Sequence, residues 1–183
     1  MTLLLNLTLS IFIFLFLQSP LSAESLTSNS KFEFTPAVAF YNGDALRAMT
    51  LGSGSLTYHL NKSFWFGGDF MSGAVAVDSD NGVGLKSSDL FSAADGAFYW
   101  NLPALLGGDL PADLYTSIGL GALWTGHHKE MYGFIGGGLT IHTPLHWLMA
   151  RFDLKNLFFM LPNSKGGDFN SDMVLSMGPS LFF

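Results

Sequence analysis

From Lys31 onward, apolar and polar side chains alternate with a period of two. This is the pattern of strands that present opposite faces to two different environments. Between Lys31 and Tyr41, Phe32, Phe34, Pro36, Val38 and Phe40 alternate with Lys31, Glu33, Thr35, Ala37 and Ala39. From Gly52 to Leu60, Leu56, Tyr58 and Leu60 alternate with Ser53, Ser55, Thr57 and His59, and from Phe64 to Met71, Phe64, Phe66 and Phe70 alternate with Trp65, Gly67, Asp69 and Met71. Leu90 to Trp100, Asp113 to Trp124, Met131 to His142, Trp147 to Lys155 and Asp172 to Phe183 continue the pattern, which makes eight segments. No helical period fits them better. Gly136-Gly137-Gly138 blurs the sixth segment and predicts a bulge or a close packing contact there.

The connections alternate too. If the first strand is taken to rise from the inner end, the outer loops are 42–51, 77–88, 125–130 and 159–171, and the inner turns are 61–63, 101–111 and 143–146. The 101–111 connection is long and carries Leu102, Leu105, Leu106 and Leu110. It is expected to pack under the strands or against a membrane.

Ahead of the strands, Leu3 to Leu17 is an apolar run broken only by Asn6, Thr8 and Ser10, followed by Gln18-Ser19-Pro20 and Leu21-Ser22-Ala23. About 15 apolar positions suit a secretory signal and fall short of the roughly 20 of a membrane-spanning helix. Residues 1–23 are therefore expected to be a cleavable signal peptide, 24–30 a short linker and 31–183 the folded domain. The absence of Lys and Arg before the run keeps an uncleaved anchor as the alternative.

Composition narrows the class. The chain has no cysteine, which excludes disulfides, thiolate metal sites and a lipid-modified cysteine. It is 49% hydrophobic and only 12% charged, yet no stretch after Ala23 is long enough to be a membrane helix. Apolar abundance without a helical span points to strands that show one face to lipid. The formal charge of −6, with no basic cluster, argues against nucleic-acid binding. The four tryptophans add a check: Trp65, Trp100 and Trp147 fall at inner strand ends and Trp124 at an outer end, where membrane-interface aromatics are expected.

The end of the chain, Ser176-Met177-Gly178-Pro179-Ser180-Leu181-Phe182-Phe183, carries a glycine followed by apolar residues at the third and fifth positions, the last of them aromatic. With the export signal and the eight segments, this resembles the small eight-stranded bacterial outer-membrane β-barrel proteins, the group that includes OmpX and the membrane domain of OmpA. The resemblance implies an all-β, eight-stranded antiparallel up-and-down transmembrane barrel in the outer membrane. It also implies that Gly178, Leu181 and Phe183 form the signal read by the barrel-assembly machinery, with periplasmic chaperones as partners during biogenesis. Outer-membrane lipid and lipopolysaccharide would surround the barrel, and a monomer is expected. The chain stops at its eighth segment, so a peptidoglycan-binding domain of the OmpA type is not expected.

Parity assigns Glu33, His59, Asp69, Asp95, Asp113, Arg151, Asp153 and Lys155 to the lumen. An eight-stranded barrel is just wide enough for side chains to fill, so charges there must pair. Arg151, mid-strand, is the expected hub for Glu33, Asp69, Asp95 and Asp153, as a salt-bridged plug. A narrow path for water or ions is the alternative, and acid–base chemistry is a remote one. None of His59, His127, His128, His142 or His146 has Ser at the second following position, which is the pair that lipid A deacylase-like barrels use. His127, His128 and Glu130 read as a solvated turn rather than a metal site. No phosphate loop, nucleophile elbow or dinucleotide fingerprint occurs. The expectation is a non-enzymatic barrel without cofactor or metal, acting as a structural or surface-interaction protein through its loops. A soluble lipocalin-like binder would close eight strands with the opposite facing.

Overall fold

The computed structural model describes residues 31–43, 48–61, 63–75, 89–102, 112–125, 128–145, 147–163 and 166–183. The expected signal peptide and linker, the 77–88 loop and most of the 101–111 connection lie outside the described residues. The strands are β1 (Phe32–Asn42), β2 (Met49–His59), β3 (Phe64–Ala74), β4 (Leu90–Asn101), β5 (Ala112–Thr125), β6 (His128–His142), β7 (Leu148–Asn163) and β8 (Gly166–Phe182). Each pairs antiparallel with the next, and β8 returns to β1, so the sheet closes into an eight-stranded barrel. Closure gives every strand a partner on each side, which is what permits a sheet to cross a bilayer.

The facing follows the parity of the sequence. Phe34, Val38, Phe66, Phe70, Ile118, Leu120, Ile135 and Leu154 are exposed on the outside, while Tyr41, Leu51, Tyr99, Tyr115, Phe134 and Leu157 are buried within. A continuous apolar outer surface around an interior that holds Arg151, Lys155 and carboxylates suits hydrocarbon outside, not water. No helix among the described residues is long and apolar enough to cross a membrane.

Three of the expected outer loops are shorter than their residues suggest. The 159–171 loop is largely strand, because β7 and β8 pair continuously to Asn163↔Gly166. Its Gly, Pro, Asn and Ser content reads as loop, but Phe158 and Phe169 stack outside at 6.0 Å and hold the hairpin together. The 42–51 and 125–130 loops shorten likewise, since β2 begins at Met49 and β6 at His128. The triple glycine makes no bulge: β6 keeps an unbroken register with both neighbours. Close packing is the reason for those glycines. Tyr115 lies opposite Gly138, and a Cβ there would collide with the Tyr115 hydroxyl and the Phe152 carbonyl. Gly121, opposite Tyr132, makes room for that ring in the same way.

Candidate functional site

Below, the end of the barrel where β1 starts and β8 finishes is the lower end. Going upward, the lumen holds an aromatic and histidine layer, a charged middle and a largely apolar upper layer that includes Tyr41, Leu51, Phe91, Leu123, Leu157 and Val174, where the Tyr41 hydroxyl donates to the buried carboxylate of Asp172. In the lower layer His59 stacks on Trp65 at 5.2 Å, and Trp65 stacks on Tyr99 at 6.0 Å. Near the lower mouth His142 Nε2 lies 2.8 Å from Asp113, which also accepts a bond from Asn101.

The charged middle has two centres. β7 places Arg151, Asp153 and Lys155 at alternate positions, so all three point inward on one strand. Arg151, 2% exposed, donates to Glu33 Oε1 at 3.1 Å and to both oxygens of Asp153 at 2.9 and 3.1 Å. It also donates to the Tyr115 hydroxyl at 2.8 Å, and its guanidinium sits 5.0 and 5.1 Å from the Tyr99 and Tyr115 ring centres. Glu33 is further held by His59 at 2.8 Å and Ser180 at 2.7 Å. Residues of β1, β2, β7 and β8 thus meet on one carboxylate.

Lys155 forms the second centre. Its ammonium donates to Asp69 and, at 3.0 Å, to both oxygens of Asp95. Asp69 and Asp95 stand directly opposite each other on β3 and β4. Two carboxylates in that position repel unless a cation lies between them. Tyr99 and Tyr132 donate to the same pair at 3.1 and 2.9 Å. The expectation of a single hub at Arg151 is therefore corrected: Arg151 takes Glu33 and Asp153, and Lys155 takes Asp69 and Asp95. Lys155 has inward parity, but its partners follow from strand register, which alternation does not reveal.

Beside these centres lies a cavity lined by Thr35, Ala37, Ser53, Ser55, Asp69 and Ser176, with about 20 Å³ open to the centre of a water-sized sphere. That is room for a water molecule. Ser55 Oγ and Asp69 Oδ1, both on its wall, find no hydrogen-bond partner among the described residues.

Of the predicted interface aromatics, Trp100, Trp124 and Trp147 are exposed on the outer surface. Trp65 is not: it is 5% exposed and lies in the lumen. Its height fits a girdle, but it occupies an inward position of β3, and parity decides the facing. Gly178, Leu181 and Phe183 lie along the closing strand, with Phe183 stacked on Phe32 at 6.1 Å. The side chains of His127 and His128 lie outside the described residues. No group of three or more His, Cys, Asp or Glu side chains that could hold a metal ion occurs among the described residues.

This architecture is that of the eight-stranded outer-membrane β-barrels, built around a charged, side-chain-filled lumen. Comparison with solved structures gives the same fold. The crystal structure of Neisserial surface protein A (NspA) superposes with a TM-score of 0.57 at 12% identity, covering 83% of this chain and 96% of that one. The solid-state NMR structure of outer membrane protein AlkL in DMPC lipid bilayers gives a TM-score of 0.52 at 12% identity, covering 84% and 90%. No protein-family model and no curated protein sequence matches the chain.

Proposed function

We propose that the protein is a plugged outer-membrane barrel, a rigid membrane scaffold that meets its surroundings through its upper connections, with the lower end at the periplasm. The observation that carries this reading is the pair of buried cations. Arg151 is clasped by Glu33 of β1 and by Asp153 beside it on β7, and Lys155 by Asp69 of β3 and Asp95 of β4, so buried ion pairs tie four strands together at mid-lumen. Such a network closes the cross-section, and a barrel of this size has no spare width beyond its side chains. Outer-membrane lipid and lipopolysaccharide surround the apolar outer face, the barrel acts as a monomer, and Gly178, Leu181 and Phe183 serve the assembly machinery during insertion. The reading is non-enzymatic. The described hydrogen bonds of His59 and His142 go to the carboxylates Glu33 and Asp113, rather than to a hydroxyl that an imidazole could activate.

The test is conductance. Purified protein in planar bilayers is expected to give no steady current. Stable, ion-selective currents would replace the plugged scaffold with a narrow channel, and the four carboxylates facing two cations in the lumen would then favour cations.

A further inference from the structure

The barrel closes where β1 meets β8, and this seam differs from the others. Its rungs run from Glu33↔Phe182 and Phe34↔Leu181 to Val38↔Met177 and on to Asn42↔Met173, with nothing paired between. Continuing the register across the gap sets Pro36 directly opposite Pro179. The hydrogen-bond phase shows what this means. Phe32 and Phe183 exchange both backbone bonds, at 3.2 and 3.0 Å. Even residues of β1 and odd residues of β8 therefore aim their N–H and C=O at the seam. His59 N–H to Lys31 C=O at 2.8 Å and Phe182 N–H to Trp147 C=O at 3.0 Å confirm that the other parity bonds outward to β2 and β7. Pro36 and Pro179 thus occupy a rung that needs an N–H from each, and neither has one. Two ladder bonds are missing within the membrane-spanning wall, where water cannot replace them.

The surroundings compensate from the lumen side. The Pro36 carbonyl turns into the space that a side chain on Gly178 would fill, and a Cβ there would collide with it. Thr35 and Ser180 bond across the seam through their hydroxyls at the adjoining unpaired rung, and Ser180 passes the contact to Glu33. Behind the gap lies the small lumenal cavity, whose wall includes Thr35, Ala37 and Ser176. Side chains thus clasp the seam where backbone bonds fail.

We propose that the β1–β8 seam is the opening joint of the barrel: a double-proline slot, latched by Thr35, Ser180 and Glu33, that parts laterally between the lumenal cavity and the lipid. This inference does not depend on whether the lumen conducts.

Amide hydrogen exchange of the folded protein in lipid nanodiscs tests it. The amides of Phe34, Val38, Met177 and Leu181 should exchange at least about tenfold faster than those of Phe98 and Ile118, which bond across the β4–β5 seam in the same phase. Pro36→Val with Pro179→Val restores both donors and should bring the two seams to similar protection. A disulfide between cysteines placed at the paired positions Ala39 and Ser176 adds no N–H, but spans a non-bonded pair about 4.5 Å apart. If the strands part, the oxidised cross-link should slow exchange at Val38 and Met177, and reduction should reverse this. Equal protection of the two seams in the unmodified protein would overturn the proposal, whether or not the variants fold. A cross-link that forms without slowing exchange would also overturn it.

Discussion

Replacing Arg151 by Met keeps an unbranched apolar stem while removing the charge that Glu33 and Asp153 face. All three groups are nearly enclosed, with side-chain exposures of 2%, 3% and 12%. Breaking a buried pair from one side costs about 3–5 kcal/mol, because the remaining charge stays desolvated. Glu33 retains His59 and Ser180, and Asp153 retains Tyr115, so the lower bound applies, near 3 kcal/mol. At roughly 2 kcal/mol per molar urea, this moves the unfolding midpoint down by about 1.5 M. The assay is reversible urea unfolding in lipid vesicles, followed by tryptophan fluorescence and by the gel mobility of the folded form. Adding Glu33→Gln and Asp153→Asn to Arg151→Met removes the orphaned charges and should recover most of the loss. A midpoint shift under about 0.25 M in the single variant, or no recovery in the triple, would refute the claim that Arg151 balances buried charge.

Other outcomes follow from the same structure. Arg at Val38, on the outer face of β1, should cost about 2–4 kcal/mol at the bilayer midplane, measured by the same urea titration. Ala at Gly138 must displace the Tyr115 hydroxyl or the Phe152 backbone and should destabilise by about 1–3 kcal/mol, with Gly137→Ala, on the outer face, much milder. Deleting Phe183, or replacing it with Asp, should reduce the folded, heat-modifiable protein recovered from the outer membrane. Unchanged yield would count against an assembly role.

Much of this molecule is legible as parity. Facing requires only that side chains alternate, so the inward placing of Glu33, Asp95, Arg151 and Lys155 follows from period two. What alternation cannot supply is register. Lys155 reaches Asp69 and Asp95 because strand tilt and stagger bring β7 across the lumen to β3 and β4, a relation set by the closed barrel as a whole. Trp65 shows the opposite error: its height suggests an interface, while its odd position among Phe64, Phe66 and Phe70 already turns it inward. The upper β7–β8 hairpin is hidden by turn-forming residues that the long pairing overrides. The Pro36–Pro179 rung is visible only once the first and last strands are known to touch, since the two prolines lie at opposite ends of the domain.

The central claim is a barrel with lipid outside and a packed, charged lumen inside. The tryptophans report on it directly when three of the four are replaced by Phe and the protein is reconstituted with lipids brominated on their acyl chains. The account predicts strong quenching of Trp100 and Trp147, which face outward, and little quenching of Trp65, which stacks between His59 and Tyr99 in the lumen. Quenching of Trp65 equal to that of Trp100, or no quenching of any of them, would contradict it.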